Sequence, residues 1–452
     1  MKETTDLQTG IENAILAGIC LKGADGRYDD DEARLSIDEL AILAESAGAK
    51  VLDRILQRRA SRDPAYLMGA GKIEELALRL GTEHVDCVIF DEELTPTQQR
   101  NLEKSLGTKV IDRTRLILDI FAQRARSKEG ILQVELAQNL YLLPRLSGRM
   151  SGLSQQSGGI GTRRGPGERQ IEYDRRRLRD RVTHLKQELE RVTRERSTQR
   201  AQRIAMGMPQ VAILGYTNVG KSSLLNRLIN APAPQSSSKG SRQNTGVVSQ
   251  PVYADDRYFA TLDPTTRRVY FPSGLCALFT DTVGFIRKLP TTLVASFRAT
   301  VEEAHLSDLL LIVFDAAATQ QDYLRQERTI ESTLKELSLD THPRIQIANK
   351  ADLLATVVKR RWQDDHPDCM LVSAATGDGV KELVERIETA LVESWPQITV
   401  TLDPRQGDQL ATLYACGHVI AFTQDAHGRY KITLKAPRRA LAKIKGLAFT
   451  TP

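Results

Sequence analysis

Short apolar runs alternate with helically spaced hydrophobic positions over the first 110 residues. Apolar runs at residues 50–52 and 87–90 predict strands, and residues 73–80 and 95–106 show the spacing of helices. Residues 109–111 predict another short strand, reached by a helical crossover as parallel strands require. This alternation predicts a small α/β domain over residues 1–112.

The next apolar positions follow helical spacing on both sides of a polar interval. Residues 113–143 predict a long helix or a helical hairpin that stops at Pro144, and residues 171–192 repeat at spacings of four and three, typical of a coiled-coil seam. Between them, residues 145–167 are rich in Gly, Ser and Arg and carry too few apolar residues for a core. Residues 113–205 are therefore predicted to form an antiparallel hairpin with this loop at its tip.

A second α/β domain is predicted over residues 206–396, because an apolar strand at residues 210–214 opens a new alternating pattern. Residues 397–452 form a small, basic α+β segment with strand patterns at 418–422 and 430–434. The predicted fold class is α/β throughout the larger domains, with a mostly parallel sheet covered by helices on both faces in the second one.

Composition limits the location and the metal chemistry. The 452 residues carry a net charge of +6, no apolar run approaches the ~18 residues of a membrane span, and the polar N-terminus lacks the pattern of a signal peptide. The five cysteines share no CxxC spacing, and the seven histidines form no pair at zinc-ligand spacing. We expect a cytoplasmic protein with reduced thiols, no zinc site and no membrane insertion.

A phosphate-binding motif follows the strand at residues 210–214. Residues 215–222 match GxxxxGK[ST] and precede a helical run, which is the context of a P-loop. Its backbone amides favour anions at a helix N-terminus, Lys221 offers a charge to the outer phosphates, and Ser222 is a candidate magnesium ligand.

Two further motifs select the base. Asn349-Lys350-Ala351-Asp352 follows an apolar strand, and the Asp352 carboxylate accepts hydrogen bonds that guanine N1 and N2 donate and adenine does not. Ser373-Ala374-Ala375 follows another strand and offers backbone donors to guanine O6. The ordered set predicts GTP binding and hydrolysis.

The hydrolytic part of the site is predicted from two segments. Asp281-Thr282-Val283-Gly284 matches DxxG, in which the carboxylate orients Mg²⁺ and the glycine amide senses the γ-phosphate. Thr261 is chosen as the switch threonine for Mg²⁺, with Thr265 and Thr266 as alternatives left open by spacing. Phe285 stands where Ras-like enzymes carry a water-positioning glutamine, so slow intrinsic turnover is expected.

These motifs give a full set of candidate site residues. The predicted catalytic residues are Lys221, Thr261 and Gly284, and the predicted metal ligands are Ser222, Thr261 and Asp281. The predicted nucleotide contacts are Gly215, Tyr216, Thr217, Asn218, Val219, Gly220, Lys221, Ser222, Ser223, Phe259, Ala260, Thr261, Leu262, Asp263, Asp281, Thr282, Val283, Gly284, Asn349, Lys350, Ala351, Asp352, Ser373, Ala374 and Ala375.

Arginines concentrate at the hairpin tip and its returning helix. Glycines interleave with them, which permits close approach to a phosphate backbone, and RNA is the predicted partner. A solvated helix face with internal ion pairs is the alternative for the helical arginines, since Glu172, Asp174 and Asp180 lie among them. The predicted RNA contacts are Arg145, Arg149, Arg163, Arg164 and Arg169.

The order of domains and three sequence segments together resemble the HflX family of translational GTPases. The segments are Gly69-Ala70-Gly71-Lys72, the loop at residues 158–168, and residues 259–267 preceding the DxxG segment. The resemblance implies a monomeric, GTP-hydrolysing factor that binds the 50S subunit or the 70S ribosome and splits or rescues stalled ribosomes under stress. It also implies Mg²⁺ between Ser222 and Thr261 and a loop that enters the peptidyl-transferase region. This chain departs from the family pattern at Arg163-Arg164 and at Arg169.

Three alternatives stay open. Some related GTPases use an asparagine at the place of Asn218 to hold K⁺, so K⁺ is hypothesised to assist hydrolysis. Residues 69–72 are interpreted as a structural turn before a helix, or as a phosphate cradle for an RNA-dependent ATPase activity. A GTP-dependent module that regulates a protein or membrane partner is the alternative to a ribosome factor, although the sequence contains neither an amphipathic anchor nor an apolar patch that would indicate it.

Overall fold

The computed structural model describes residues 11–23, 27–82, 84–146, 166–205, 207–230, 264–288, 303–393, 395–402, 407–425, 428–437, 440–441, 444 and 449–450. The chain divides into two compact units, residues 1–190 with 287–296 and residues 191–286 with 297–452. These units do not follow the predicted boundaries, since residues 191–205 belong to the second unit and residues 287–296 to the first. The four-part division stays a prediction.

A four-stranded parallel sheet organises the N-terminal unit. Its strands are β1 (Asn13–Leu21), β2 (Lys50–Arg59), β3 (Cys87–Phe90) and β4 (Lys109–Asp112), in the order β2-β1-β3-β4. The chain moves outward in one direction from β1 to β2 and then returns to the other side of β1 with β3. The predicted α/β domain is confirmed, and central strand β1, which the sequence patterns did not single out, completes it.

Helices α1 (Asp30–Ser46), α2 (Ala70–Thr82), α3 (Pro96–Leu106) and α4 (Arg113–Arg124) connect and cover these strands. Apolar residues of α2 and α3 join the sheet in one core. Local signals set the helix ends: Thr95 and Gln98 form a reciprocal capping box, and Gly107 ends α3 in the left-handed conformation.

The predicted helical stretch at residues 113–143 is two helices, α4 and α5 (Lys128–Leu142). Ala125 is extended, and the Ser127 hydroxyl accepts from the Gly130 amide at 2.9 Å to begin α5. The long helix α6 (Pro166–Ala205) returns past α5, and the Arg181 guanidinium donates to both carboxylate oxygens of Glu135.

Asp112 is the buried polar centre of the N-terminal unit. Its carboxylate accepts from the Leu94 amide at 3.1 Å, from the Arg115 amide at 2.8 Å and from the Tyr141 hydroxyl at 2.9 Å. The Arg145 guanidinium pairs with it at 3.2 Å. One side chain thus ties together the ends of β4 and α5, the start of α4 and the loop before α3.

The second unit contains a six-stranded sheet in the order β10-β9-β8-β5-β7-β6. The strands are β5 (Gln210–Gly215), β6 (Thr265–Tyr270), β7 (Cys276–Asp281), β8 (Leu309–Asp315), β9 (Arg344–Asn349) and β10 (Cys369–Leu371). All pairs are parallel except β6 with β7. Its helices are α7 (Lys221–Ile229), α8 (Gln320–Glu336), α9 (Thr356–Asp365) and α10 (Val380–Glu393). This confirms the predicted mostly parallel α/β fold.

The second unit also contains an antiparallel sheet, formed by the C-terminal residues. Its strands are β11 (Gln397–Leu402), β12 (His418–Gln424), β13 (Tyr430–Lys435) and β14 (Phe449–Thr450), with α11 (Gly407–Cys416) between the first two. Val400, Leu413, Ile432 and Leu434 are fully buried in its core. The predicted small α+β segment is confirmed.

Two sequence expectations concern the described residues as a whole. Cys20, Cys87, Cys276 and Cys369 are buried free thiols. Within the described ranges, every helix is too short or too polar to cross a bilayer.

Replacing Asp112 with alanine is expected to loosen the N-terminal unit selectively. Four donors would lose a buried charged partner, a change worth about 3–5 kcal/mol. Hydrogen–deuterium exchange of the α4 and α5 backbone amides should accelerate on the order of a hundred-fold or more. Asp53→Asn is the matched control, since its partner Arg79 is half exposed and such pairs contribute at most about 1 kcal/mol. Equal exchange in the two variants would contradict the central role of Asp112.

Candidate nucleotide-binding site

The P-loop is built where β5 ends and α7 begins. Gly215 has φ 151°, and a Cβ there would lie 2.2 Å from the Val313 carbonyl oxygen of the neighbouring strand. Gly220 has φ 84° and precedes the first residue of α7. Only glycine fits at both ends of this turn, so the amides between them are free to converge on an anion at the helix N-terminus.

Lys221 is buried in this turn, at 7% exposure. Its Nζ donates to the backbone carbonyls of Tyr216 at 2.7 Å and Gly215 at 3.3 Å. Burial lowers the pKa of this ammonium to about 8, and the nearby Asp281 charge opposes the shift. The side chain is therefore folded back along the loop, with a charge that titrates close to neutral pH.

Two of the predicted metal ligands meet at the same edge of the sheet. The Ser222 hydroxyl donates to Asp281 Oδ2 at 2.6 Å, and Asp281 is fully buried at the end of β7. A hydroxyl and a carboxylate are the hard oxygen donors that Mg²⁺ takes when phosphates and water complete its octahedron. The pair therefore fits Mg²⁺, and the role of each residue as a ligand stays a prediction.

The segment after Asp281 returns to the P-loop. Phe285 donates its amide to the Gly215 carbonyl at 3.0 Å, and its carbonyl accepts from the Thr217 amide at 3.0 Å. A Cβ at Gly284 would lie 2.8 Å from both Thr217 Cα and Lys221 Nζ, so the backbone approach requires glycine. The predicted γ-phosphate sensor is thus held against the P-loop by main-chain hydrogen bonds.

The Phe285 side chain is packed in an apolar core, an environment that a glutamine amide would not favour. The side chain is 5% exposed and belongs to the hydrophobic core of the GTPase unit. The structure therefore gives this residue a packing role in addition to the predicted loss of a water-positioning group.

Asn349 connects the base-reading loops to the P-loop. Its Nδ2 donates to the Val219 carbonyl at 2.9 Å, and its Oδ1 accepts from the Ala374 amide at 2.9 Å. The side chain is 2% exposed. Three motifs that are distant in the sequence are thereby fixed to one another through a single amide.

The guanine-reading carboxylate has a defined orientation. The Ser373 hydroxyl donates to Asp352 Oδ1 at 2.6 Å, while the Asp352 residue itself is exposed at the edge of the fold. Lys350 has φ 66° and pairs through Nζ with Asp315 at the end of β8. Asp352 is thus exposed to solvent on a loop that contacts with Ser373 and Asp315 hold in place.

Part of the predicted set lies outside the described residues. Phe259, Ala260, Thr261, Leu262 and Asp263 are in this group, so the choice of switch threonine stays a prediction. Of the alternatives, Thr265 pairs opposite Asp281 in the β6–β7 ladder, and the Thr266 hydroxyl contacts that of Thr280 at 3.0 Å. The K⁺ role of Asn218 also stays a prediction.

Among the predicted RNA contacts, only the side chain of Arg145 is described. Its guanidinium donates to the Leu94 and Tyr141 carbonyls, pairs with Asp112 and lies 3.5 Å from the centre of the Tyr141 ring. These contacts fix Arg145 inside the N-terminal unit, and its role with RNA stays a prediction. Arg149, Arg163 and Arg164 lie outside the described residues, as does the side chain of Arg169.

Residues 69–72 have the contacts of a helix start. The Gly69 amide donates to Gln57 Oε1 at 2.8 Å, its carbonyl accepts from the Lys72 amide at 3.0 Å, and Lys72 Nζ pairs with Glu75 at 2.8 Å. These contacts favour the structural-turn interpretation, and a second ATPase activity there stays a prediction.

Comparison with known proteins matches three successive segments of the chain to family models. Residues 34–122 match a family model described as GTP-binding GTPase N-terminal, residues 124–203 match GTP-binding GTPase Middle Region, and residues 210–350 match 50S ribosome-binding GTPase. GTPase HflX of Lacrimispora saccharolytica is 44% identical over 392 residues, covering 86% of each chain. GTPase HflX of Escherichia coli K12 is 38% identical over 91% of this chain and 92% of its own. The chain belongs to the HflX family of GTPases.

Membership of the HflX family agrees with the nucleotide-binding motifs that meet in this site. This HflX-family GTPase binds GTP and hydrolyses it to GDP and phosphate, as both the HflX relatives and the 50S ribosome-binding GTPase model indicate. The expected nucleotide specificity and the family resemblance noted from the sequence are confirmed.

The Lys221 ammonium makes GTP affinity depend on pH. Phosphate favours the charged lysine, so binding is strongest below about pH 8 and weakens as pH rises through the pKa of the free protein. Between pH 7.0 and 8.8 the charged fraction falls roughly six-fold, and Kd should rise by a similar factor. Isothermal titration at constant Mg²⁺ measures this. In Lys221→Gln, binding should be weaker and nearly flat over this range; the same pH slope in both proteins would contradict the assignment.

Phe285→Gln is expected to lose stability without gaining activity. The new amide would lie in an apolar core, at a cost of about 2–4 kcal/mol, and would not reach the water-attack position. Thermal unfolding and single-turnover hydrolysis at a permissive temperature test both points. Phe422→Gln, at a side chain 46% exposed in the C-terminal sheet, is the control and should change stability by about 0.5 kcal/mol or less. Faster hydrolysis by Phe285→Gln would contradict the packing role.

Proposed function

We propose that this HflX-family GTPase is a cytoplasmic, monomeric factor that acts on the large ribosomal subunit or the intact ribosome and splits or rescues stalled ribosomes under stress. The observation that carries the proposal is the combination of a complete GTP site with a long, arginine-rich helix in one chain. The matching family model, described as 50S ribosome-binding GTPase, and the sequence of the Gly/Arg-rich loop support it.

In this proposal the nucleotide site works by positioning and charge. The P-loop amides and Lys221 bind the phosphates, and the Gly284 amide contacts the γ-phosphate. Ser222, Asp281 and Thr261 would hold Mg²⁺, which would supply positive charge to the phosphates. Asp352 accepts from guanine, and the Ser373 hydroxyl fixes the orientation of its carboxylate.

Slow intrinsic hydrolysis follows from the same geometry. Phe285 is packed in the core and occupies the motif position of the water-positioning glutamine. A ribosomal partner would then supply the missing positioning, as activating proteins do for other GTPases. This arrangement suits a factor that must hydrolyse GTP only after it binds its target.

The described part of α6 provides a surface for RNA. Val182 and Leu185 are buried, whereas Arg176, Arg177 and Arg179 are exposed. The helix is therefore anchored by apolar residues and directs guanidinium groups to solvent. Such groups bind phosphate backbones in a salt-dependent manner without reading sequence.

Replacing Arg176, Arg177 and Arg179 with glutamine is expected to weaken binding to 50S subunits. Each lost phosphate contact should reduce the slope of log affinity against log salt by about 0.7 to 0.9, so the triple variant should lose roughly two to three units of slope. Co-sedimentation with purified 50S subunits in a non-hydrolysable GTP analogue, over a salt series, measures this.

A matched variant separates this effect from net charge. Lys359, Arg360 and Arg361 lie on α9 of the GTPase unit, and their triple glutamine variant removes the same charge. We expect that variant to retain the wild-type salt slope. Failure of the wild-type protein to sediment with 50S subunits, or to hydrolyse GTP faster in their presence, would overturn the proposed function.

A further inference from the structure

A cavity of about 520 Å³ lies at the carboxyl edge of the N-terminal sheet. Residues at the end of β1, at the start of α1, after β3 and at the start of α4 line it. The chain passes from β1 to β2 on one side of β1 and then from β2 to β3 on its other side, so the cavity lies at the topological switch point of a parallel sheet. Crevices at this point are the usual ligand sites of such sheets.

The charged lining of this cavity is predominantly acidic. Three cationic side chains line it, Arg62, Arg113 and Lys288, against five carboxylates: Asp29, Glu32, Asp91, Glu92 and Glu93. A phosphate-bearing ligand would meet this excess of negative charge, whereas a cation would be attracted by it.

All three cations are already paired. Arg113 donates to Asp91 at 2.7 Å, and Arg62 pairs with Glu92 at 3.0 Å. The Lys288 ammonium lies 2.5 Å from Asp91 and 2.6 Å from Glu92. The Lys288 contacts show that a primary ammonium fits between the carboxylates of Asp91 and Glu92.

Glu93 is one of two lining carboxylates that form no ion pair among the described residues. Burial and, to a smaller extent, the Asp112 charge raise its pKa, and the Arg145 charge opposes the shift. Asp29 accepts a capping hydrogen bond from the Glu32 amide at 2.9 Å and is also without an ion pair in the described part of the chain. A ligand cation would stabilise the charged form of Glu93, which burial and the Asp112 charge disfavour.

A second, independent observation comes from Thr114. Its side chain lines the same cavity and is 1% exposed, yet the hydroxyl has no hydrogen-bond partner among the described residues. An unpaired buried hydroxyl costs about 1–3 kcal/mol, so such groups usually mark a position where a partner binds.

The donor set favours an organic cation over a metal ion. Within the described residues no three His, Cys, Asp or Glu side chains converge as ligands of one ion. An elongated amine can instead place ammonium groups at separate carboxylates and donate to a hydroxyl between them.

We propose that this cavity binds an aliphatic polyamine, with one ammonium at Glu93, another at Asp29, and with Thr114 accepting a hydrogen bond from the ligand. The inference does not depend on ribosome binding or on the nucleotide site. Its chemical basis is the excess of carboxylates, the ammonium geometry shown by Lys288 and the unpaired hydroxyl.

Isothermal titration of spermidine into the full-length, nuclease-treated protein without nucleotide tests the proposal. We expect saturable one-site binding that Glu93→Gln and Thr114→Val each weaken at least five-fold. Thr114→Val removes a hydroxyl that has no partner, so the thermal unfolding temperature should not fall. Glu74→Gln removes an exposed carboxylate of α2 outside the cavity and should bind spermidine as the wild type does.

Several outcomes would overturn the proposal. The first two are the absence of saturable spermidine binding and an equal weakening of that binding in Glu74→Gln. The third is equal displacement of spermidine by millimolar MgCl₂ from the wild type and from both cavity variants. The fourth is binding of ATP that Glu93→Gln strengthens. Binding of spermidine but not of 1,8-octanediol, which has a similar length without charge, would support the required ammonium groups.

Discussion

Parallel pairing of the strands in the GTPase unit is the constraint on which the whole nucleotide site depends. β5 pairs with β7 on one side and β8 on the other, and β8 pairs with β9. Because these strands run in the same direction, their carboxyl ends meet at one edge. Gly215, Asp281 and Asn349, which are the last residues of β5, β7 and β9, are thereby brought together although up to 134 positions separate them in the sequence.

Short polar contacts then convert this proximity into fixed geometry. The amide of Asn349 joins the P-loop to the Ser373 loop, and the main chain of Phe285 joins the DxxG segment to the P-loop. These groups are buried, where an unpaired donor or acceptor is costly, so each contact excludes alternative arrangements. A displacement of any one loop must therefore break hydrogen bonds in the others.

Sequence patterns predicted this unit well, because its motifs are local. Residues 215–222 contain both the glycines that shape the turn and the lysine and serine that bind. The strand before each motif is a continuous apolar run that periodicity detects. The bridging role of Asn349 was not predictable, since its partners Val219 and Ala374 are distant in sequence.

The N-terminal unit was less accessible to the same reasoning. Its central strand β1 is a nine-residue run buried along nearly its whole length, which lacks the alternation of a half-exposed strand. The break between α4 and α5 rests on one extended residue and a serine cap, signals too weak to interrupt an apolar pattern. Arg145 illustrates the main limit: the sequence predicted an RNA contact at the hairpin tip, and the structure pairs its guanidinium with buried Asp112.

Phe285 is informative both through its position in the sequence motif and through its burial in the structure. Its position in the motif predicts a site without a water-positioning glutamine, and its burial shows that the side chain stabilises the core beside the P-loop. The same residue thus stabilises the core and, by its position in the motif, predicts slow intrinsic hydrolysis of GTP. Because its backbone hydrogen-bonds Gly215 and Thr217, a change in position of this segment would alter the phosphate-binding turn directly. The proposed ribosomal partner could therefore act by adding a group or by shifting this segment, since the Phe285 side chain itself is packed in the core.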